Sequence, residues 1–441
     1  MEATTNTSTV EAILQRSGFT HFHRRIVLVT GIAWTFVAME ILLISFTLPV
    51  FQAVWNLSGF SLGLIGSAAL MGSFVGSLFW GRLADRIGRR SIFQVTILWY
   101  SVFVALTAAS WNPASLFAFR FLSGVGLGGM LVVDPTLLSE YLPPQVRGRF
   151  LVFLDFFWPI GNLIALGLAY YFLEVAGGAW RPLFLVAAVP AFLAFVSRTL
   201  VPESPYYLAR KGRAQEAAQV LTRVTGQVVD SAVVHADAEA TRARVADLLS
   251  GNLRQVTLAT LVAWIALNFG YYGLFLWLPG ALAAVRGIQL GNIYVLLLLS
   301  VLAQFPGYLS AMWLVEAWGR KKTLVAFLIL GGLSGLVFAT ATNYPIFVAS
   351  LFFVGFFNLG AWGAVYPYTS EVFPTVLRAT AFGLAEGVGK ITAILGPTVF
   401  GALKDATGDV IVPLLVVAVV MAVGGVVTGF FGRETRGAPL L

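Results

Sequence analysis

The sequence predicts an all-α membrane protein: twelve transmembrane helices arranged as two pseudo-symmetric six-helix bundles. Three observations lead there. First, 58% of the 441 residues are hydrophobic and only 11% charged, with a mean hydropathy of +0.85, a balance typical of polytopic membrane chains. Second, twelve apolar stretches, near 24–51, 60–84, 91–111, 113–140, 149–173, 181–199, 254–284, 290–315, 323–341, 344–370, 378–403 and 410–432, are each long enough to cross a ~30 Å hydrocarbon core as a helix. Third, the chain repeats itself at a step of 231 residues, and the repeated positions are charged: Asp85 maps onto Glu316, Glu140 onto Glu371, Asp155 onto Glu386, Glu174 onto Asp405 and Glu203 onto Glu434. Gly88/Gly319, Arg89/Arg320, Asn112/Asn343 and Arg147/Arg378 keep the same step. A duplicated bundle with matched polar positions is the plan of a carrier whose halves rock about a central site.

The elements follow in order. Residues 1–23 form a short polar lead, and no cleavable leader is expected, because the apolar stretch starting at Ile26 runs on into a full span. Residues 24–199 make the first bundle and 254–432 the second. Between them, 200–253 is polar, carries Pro202 and Pro205, and holds two amphipathic helices near 206–224 and 236–249. It is too short for a core of its own and is expected to brace the bundles from one side. Residues 433–441 are a tail. The net charge of +8 does not point to nucleic acid, because 23 of the 28 Lys and Arg fall in the termini, the linker and alternate loops. By the positive-inside rule both termini lie in the cytoplasm, in a plasma or inner membrane. With no cysteine there is no disulfide or thiolate chemistry. His21, His23 and His235 lie outside the spans, and no nucleophile–base set is evident. No enzyme activity, cofactor or metal is expected, and the chain is read as a monomer in the bilayer.

Six charges fall inside spans: Glu40, Arg120, Asp134, Asp155, Glu386 and Lys390. Each costs at least ~2.5 kcal/mol unless it meets a polar cavity or a partner. Helical rise puts Glu40 ~15 Å and Arg120 ~10 Å from the same membrane face, so the two can pair. A carboxylate held against Arg120 stays ionised and takes up a proton when released into an apolar cavity. The alternative is a permanent ion pair fixing helix 1 to helix 4. Asp134 and Asp155 lie at similar depths on helices 4 and 5, and Pro135 bends the chain beside the first. Asp155 and Asn162, seven apart, are expected on one helical face. Glu386 and Lys390, at i and i+4, either face a solute or neutralise each other. Near Gly and Pro breaks on helices 7 and 10, Tyr271, Tyr272, Trp362 and Tyr366 are candidate stacking residues, although most aromatic stripes are core. The run Gly124–Gly129 reads as close helix packing, since no strand precedes it.

A second charge class sits at one rim. Asp85, Arg89 and Arg90 join helices 2 and 3, while Glu316 and Arg320 join helices 8 and 9. Glu140…Arg147 and Glu371…Arg378 close helices 4 and 10 with one spacing, and Glu203 and Glu434 follow helices 6 and 12. Rim charges are usually solvated and worth little. Their repetition predicts ion pairs that latch the inward mouth shut and release together.

These motifs resemble those of the major facilitator superfamily over nearly the whole chain, about residues 16–436. Gly81–Arg90 resembles its loop motif, Arg120–Gly124 its helix-4 motif, and Pro202–Pro205 and Arg433–Arg436 the tags after helices 6 and 12 in sugar porters and organic-ion transporters. Ala38–Glu40, Asn268–Gly273 and Ser370–Pro374 look like the branch containing synaptic vesicle glycoprotein-two proteins and bacterial nicotinate-type carriers. The resemblance implies a midplane site and alternating access, with Glu40 as the proton-coupling acid and Arg120 as its partner. Asp155 stands where sugar porters carry a glutamine, and Ala266 and Leu267 replace their helix-7 pair, which disfavours hexoses. Lys390 falls where organic-anion carriers have Arg, which favours an anion. The branch's usual Asp three residues before the helix-1 Glu is Val37 here, so either Glu40 couples alone or the coupling differs from the branch's.

The expected function is proton symport of a small organic anion such as an aromatic carboxylate. Lys390 is assigned to the carboxylate, with Asn162, Tyr271, Tyr366 and Trp362 as polar or stacking contacts. Glu40, Asp134, Asp155 and Glu386 against Arg120 and Lys390 make the cavity acidic by count, so an organic-cation carrier is the alternative. A sugar porter and a non-transporting receptor on the same scaffold are the remaining readings.

Overall fold

The computed structural model describes residues 8–190, 200–235, 244–251, 253–286 and 290–436 and is almost entirely helical. A short α1 (Val10–Ser17) precedes the membrane helices. The first half contains α2 (His21–Trp55), α3 (Gly59–Ile87), α4 (Arg89–Thr107) and α5 (Pro113–Tyr141). Its fifth crossing is broken into α6 (Pro144–Asp155), α7 (Trp158–Ala169) and a π-helical turn at Tyr170–Val175. The expected sixth span, 181–199, opens with α8 (Trp180–Ala187), and residues 191–199 lie outside the described ones.

In the linker, the helix expected near 206–224 is two: α9 (Pro205–Arg210) and α10 (Ala214–Thr225), separated at Gly212, whose φ is +71°. Of the one expected near 236–249, only α11 (Val245–Leu248) falls among the described residues. Helix α10 buries Ala217, Leu221 and Val224. Two-residue strands, β1 (Ser8–Thr9) and β2 (Val234–His235), pair in parallel and tie the N-terminal lead to the linker.

The second half contains α12 (Leu253–Phe275), α13 (Leu278–Arg286), α14 (Leu290–Ala317), α15 (Arg320–Thr340), α16 (Tyr344–Val372), α17 (Thr375–Thr407) and α18 (Ile411–Phe431). Among the described residues, ten helical stretches are long and apolar enough to cross a membrane. Helix α17 is less apolar because it carries Arg378, Glu386, Lys390, Lys404 and Asp405.

The repeat is visible in the caps and the packing. Asn112 accepts from the Ser115 amide at 2.8 Å, and Asn343, one repeat later, accepts from Ile346 at 3.4 Å. Each starts a helix with Pro in its first turn, where a missing N–H costs nothing. Helices α3 and α5 touch backbone to backbone: a Cβ on Gly124 would lie 2.1 Å from the Ala69 carbonyl, and one on Gly128 the same distance from that of Ser73. The glycine run is therefore a packing surface.

The end bearing residues 81–90 and 316–322 is here called the basic rim. At the opposite end the halves are pressed together. Ser67 donates to the Ile394 carbonyl at 2.7 Å, and a Cβ on Gly401 would lie 2.0 Å from the Gly59 carbonyl. The far end is closed, and the space between the halves opens towards the basic rim.

Candidate functional site: a buried ion pair beside an aromatic cavity

Glu40 on α2 and Arg120 on α5 are both fully buried and form an ion pair. Arg120 also donates to the Glu40 carbonyl at 3.3 Å, and its guanidinium lies 5.7 Å from the centre of the Phe184 ring. Ser123 donates to the same carboxylate at 3.4 Å, whereas the second carboxylate oxygen has no hydrogen-bond partner. The pair sits inside the first bundle, next to the cavity wall formed by its chain neighbour Ile41. Removing one partner of such a pair leaves an uncompensated buried charge, which costs far more than the pair gains.

The central cavity lies between the halves. Its charged lining residues are Asp155 from α6 and Glu386 and Lys390 from α17. Glu386 and Lys390 pair with each other at 3.2 Å, so the neutralisation expected from their spacing is present within the cavity wall. Aromatic residues make most of the remaining wall. Trp158 of the first half donates to the Tyr271 hydroxyl of the second at 2.7 Å. Ring contacts then run from Trp34 to Trp158, Tyr271 and Trp362, with centroids 6.0–6.4 Å apart at each step through to Trp264. Tyr366 joins this set 5.6 Å from Trp264. The four expected rings, Tyr272 included, thus line the cavity, and Trp34, Trp158 and Trp264 are additions that no charge or motif had marked. A vestibule of about 560 Å³ shares Trp34, Asp155, Tyr366 and Glu386 with the cavity and continues past Arg149, Glu316 and Glu371 to the basic rim.

Two expected contacts fall elsewhere. Asn162 lines a separate small void with Ser45, Phe275 and Ser300. The helix breaks at Phe156–Phe157, and α7 restarts before Pro159, so the seven-residue spacing from Asp155 no longer means one face. Asp134 is fully buried in the first bundle, outside the cavity lining, and neither of its carboxylate oxygens has a hydrogen-bond partner.

The rim charges form two matched clusters. Arg89 pairs with Asp85 at 2.8 Å and Glu140 at 3.2 Å, while Arg320 pairs with Glu316 at 2.9 Å and Glu371 at 2.8 Å. Glu203 accepts the amides of Arg89 and Arg90 at 2.9 and 3.2 Å. Glu434 accepts those of Arg320, Lys321 and Lys322 at 2.9–3.4 Å. Each tag carboxylate therefore caps the helix after its own half's loop. Burial works against the Glu434 charge, but the amides of Lys322, Arg436, Thr435 and Lys321 hold its carboxyl below the usual range. Arg147 reaches Glu11 of α1 at 3.7 Å and donates to the Tyr206 hydroxyl, and Arg378 also has a partner. The pairs of Arg89 and of Arg320 each stay within one half. In this open arrangement those pairs brace each half and do not span the mouth.

Comparison with known proteins agrees with this architecture. The family described as "Sugar (and other) transporter" matches residues 17–441. The chain is 37% identical over 425 residues to the niacin transporter NiaP of Acinetobacter baylyi, covering 95% of this chain and 96% of that one. It is 27% identical over 459 residues to the synaptic vesicle 2-related protein of Xenopus laevis, covering 99% and 83%. Among solved structures, the xylose transporter XylE of E. coli in a partially occluded inward-open conformation superposes with a TM-score of 0.78 at 18% identity, covering 96% of this chain and all of that one.

Proposed function

The chain belongs to the sugar (and other) transporter family and is a multi-pass membrane carrier of the major facilitator fold, and from that premise we propose that it moves a small organic anion in symport with protons. The observation that carries this reading is the cavity between the halves. An ammonium, Lys390, stands there among stackable rings, and the fully buried Glu40–Arg120 pair lies just behind the wall. An aromatic carboxylate suits this lining: its ring fits between Trp and Tyr faces, and its charge meets Lys390. The niacin transporter similarity, at 37% identity, supports the same class of solute.

Coupling follows from the pair. Rearrangement of α2 against α5 separates Glu40 from Arg120, and a carboxylate left alone in apolar surroundings takes up a proton. Re-forming the pair releases it. Binding and protonation together make the rocking of the halves favourable only when both cargoes are aboard. We place the basic rim on the cytoplasmic side, since 23 of 28 Lys and Arg lie there, with the protein acting as a monomer in the plasma membrane.

The test is uptake of a radiolabelled pyridine carboxylate into proteoliposomes under an imposed pH gradient. Accumulation several-fold above the gradient-free level, with matching proton entry, is the expected result. Absence of any solute-dependent proton movement across a panel of organic acids would favour a non-transporting receptor instead.

A further inference from the structure

Lys390 offers a carboxylate its counter-charge, and the rest of the cavity's charged lining leaves a place for a cation beside it. The charged lining comprises two carboxylates and one ammonium. The ammonium is already paired with Glu386 at 3.2 Å. Asp155 is different: it lines the cavity, and among the described residues no ion pair involves it. A solute carrying only a carboxylate would add a further negative charge to an enclosed space.

The ring arrangement supplies what Asp155 lacks. Trp34 and Tyr366 line both the cavity and the vestibule alongside Asp155. A cation held over Trp and Tyr faces is attracted by their quadrupoles, most strongly when desolvated. An acid flanked by such faces is a site for an onium group that cannot shed its charge. The carboxylate of the same solute then displaces Glu386 from Lys390 at no net change in cavity charge.

We propose that the site prefers aromatic zwitterions, with a ring-borne quaternary or pyridinium cation set against Asp155, Trp34 and Tyr366 and a carboxylate set on Lys390. This rests on the organic-anion reading above and deepens it. Asp155 becomes the residue that separates zwitterions from simple carboxylates. Lys390 separates both from plain cations.

Three matched probes test the proposal on purified full-length protein in nanodiscs: a pyridine carboxylate, its N-methylated zwitterion and the N-methylated carboxamide cation. The zwitterion is expected to bind about tenfold more tightly than either of the others, the factor that ~1.4 kcal/mol of cation–π and ionic contact gives. Asp155→Asn should erase its margin over the anion, while Asp155→Glu, keeping the charge, retains it. Lys390→Gln should erase its margin over the cation. If the anion binds at least as tightly as the zwitterion and Asp155→Asn leaves the ratio unchanged, the zwitterion inference is wrong and the organic-anion proposal stands. If none of the three binds or is carried, both fall.

Discussion

The carboxylate of Asp405 accepts the backbone amides of Gly59 at 2.6 Å and Phe60 at 2.7 Å, so α17 of the second half caps the N-terminus of α3 in the first. A full negative charge there meets both free N–H groups and the positive end of the helix dipole. This is a join between the halves at the end away from the basic rim. It must open whenever the far mouth opens.

Breaking that join is expected to shift the population of far-open molecules. Charge-assisted hydrogen bonds are worth about 1.5–3 kcal/mol, so Asp405→Ala should raise the far-open fraction by roughly tenfold or more. The chain has no cysteine, so a single Leu48→Cys reporter, at a position 3% exposed near the closed end, needs no background removal. Thiol labelling should accelerate in Asp405→Ala by a similar factor. An unchanged rate would mean that the cap carries no gating energy.

The rim clusters were legible in the sequence because the same backbone problem is solved twice. Asp85, Arg89, Glu140 and Glu203 recur 231 residues later as Glu316, Arg320, Glu371 and Glu434, and the contacts recur with them. The Glu40–Arg120 pair was legible for another reason: two opposite charges at like depth in lipid have few other ways to be satisfied. Side-chain direction was less legible. Periodicity relates residues within one unbroken helix, and the break at Phe156–Phe157 put Asn162 and Asp155 into different voids. Asp134 shows the same limit, since its depth was readable but not whether it faced the cavity or the interior of its own bundle. Trp34, Trp158 and Trp264 escaped notice because an indole carries no charge whose burial stands out in an apolar span. Only the tertiary fold distinguishes a ring in a cavity wall from one in the core.

Glu40 and Arg120 should be separable by stability as well as by transport. Arg120→Gln leaves a bare carboxylate in a fully buried site and is expected to destabilise by about 3–5 kcal/mol. The double variant Glu40→Gln/Arg120→Gln removes both charges and should recover much of that loss in a thermal melt. Glu40→Gln alone should abolish gradient-driven accumulation while leaving solute exchange in part. Undiminished accumulation would remove Glu40 from coupling.

Acid should weaken the cap made by Glu434. Its folded carboxyl lies below the ordinary value, so its contribution is fully present above the unfolded pKa, near 4.3. That contribution is lost as pH falls from there through the lower folded value. Melting curves of the wild type and Glu434→Gln should therefore differ at neutral pH and converge in acid. A gap that persists unchanged at low pH would assign the effect to packing instead of charge.

Gly88 and Gly319 combine two demands that no other residue meets together. Their φ values are +108° and +125°, and a Cβ would lie 2.1 Å from a Glu203 carboxylate oxygen and 2.5 Å from one of Glu434. Alanine at either position incurs backbone strain and drives the capping carboxylate off the helix start. The loss is expected to exceed the ~1 kcal/mol scale of a compatible glycine change. Adding Glu203→Ala to Gly88→Ala relieves the collision but not the φ strain, so the double variant should melt no higher than Glu203→Ala alone. If Gly88→Ala melts as the wild type does, the loop is free to adopt another backbone path and the tag carboxylate is not what fixes it.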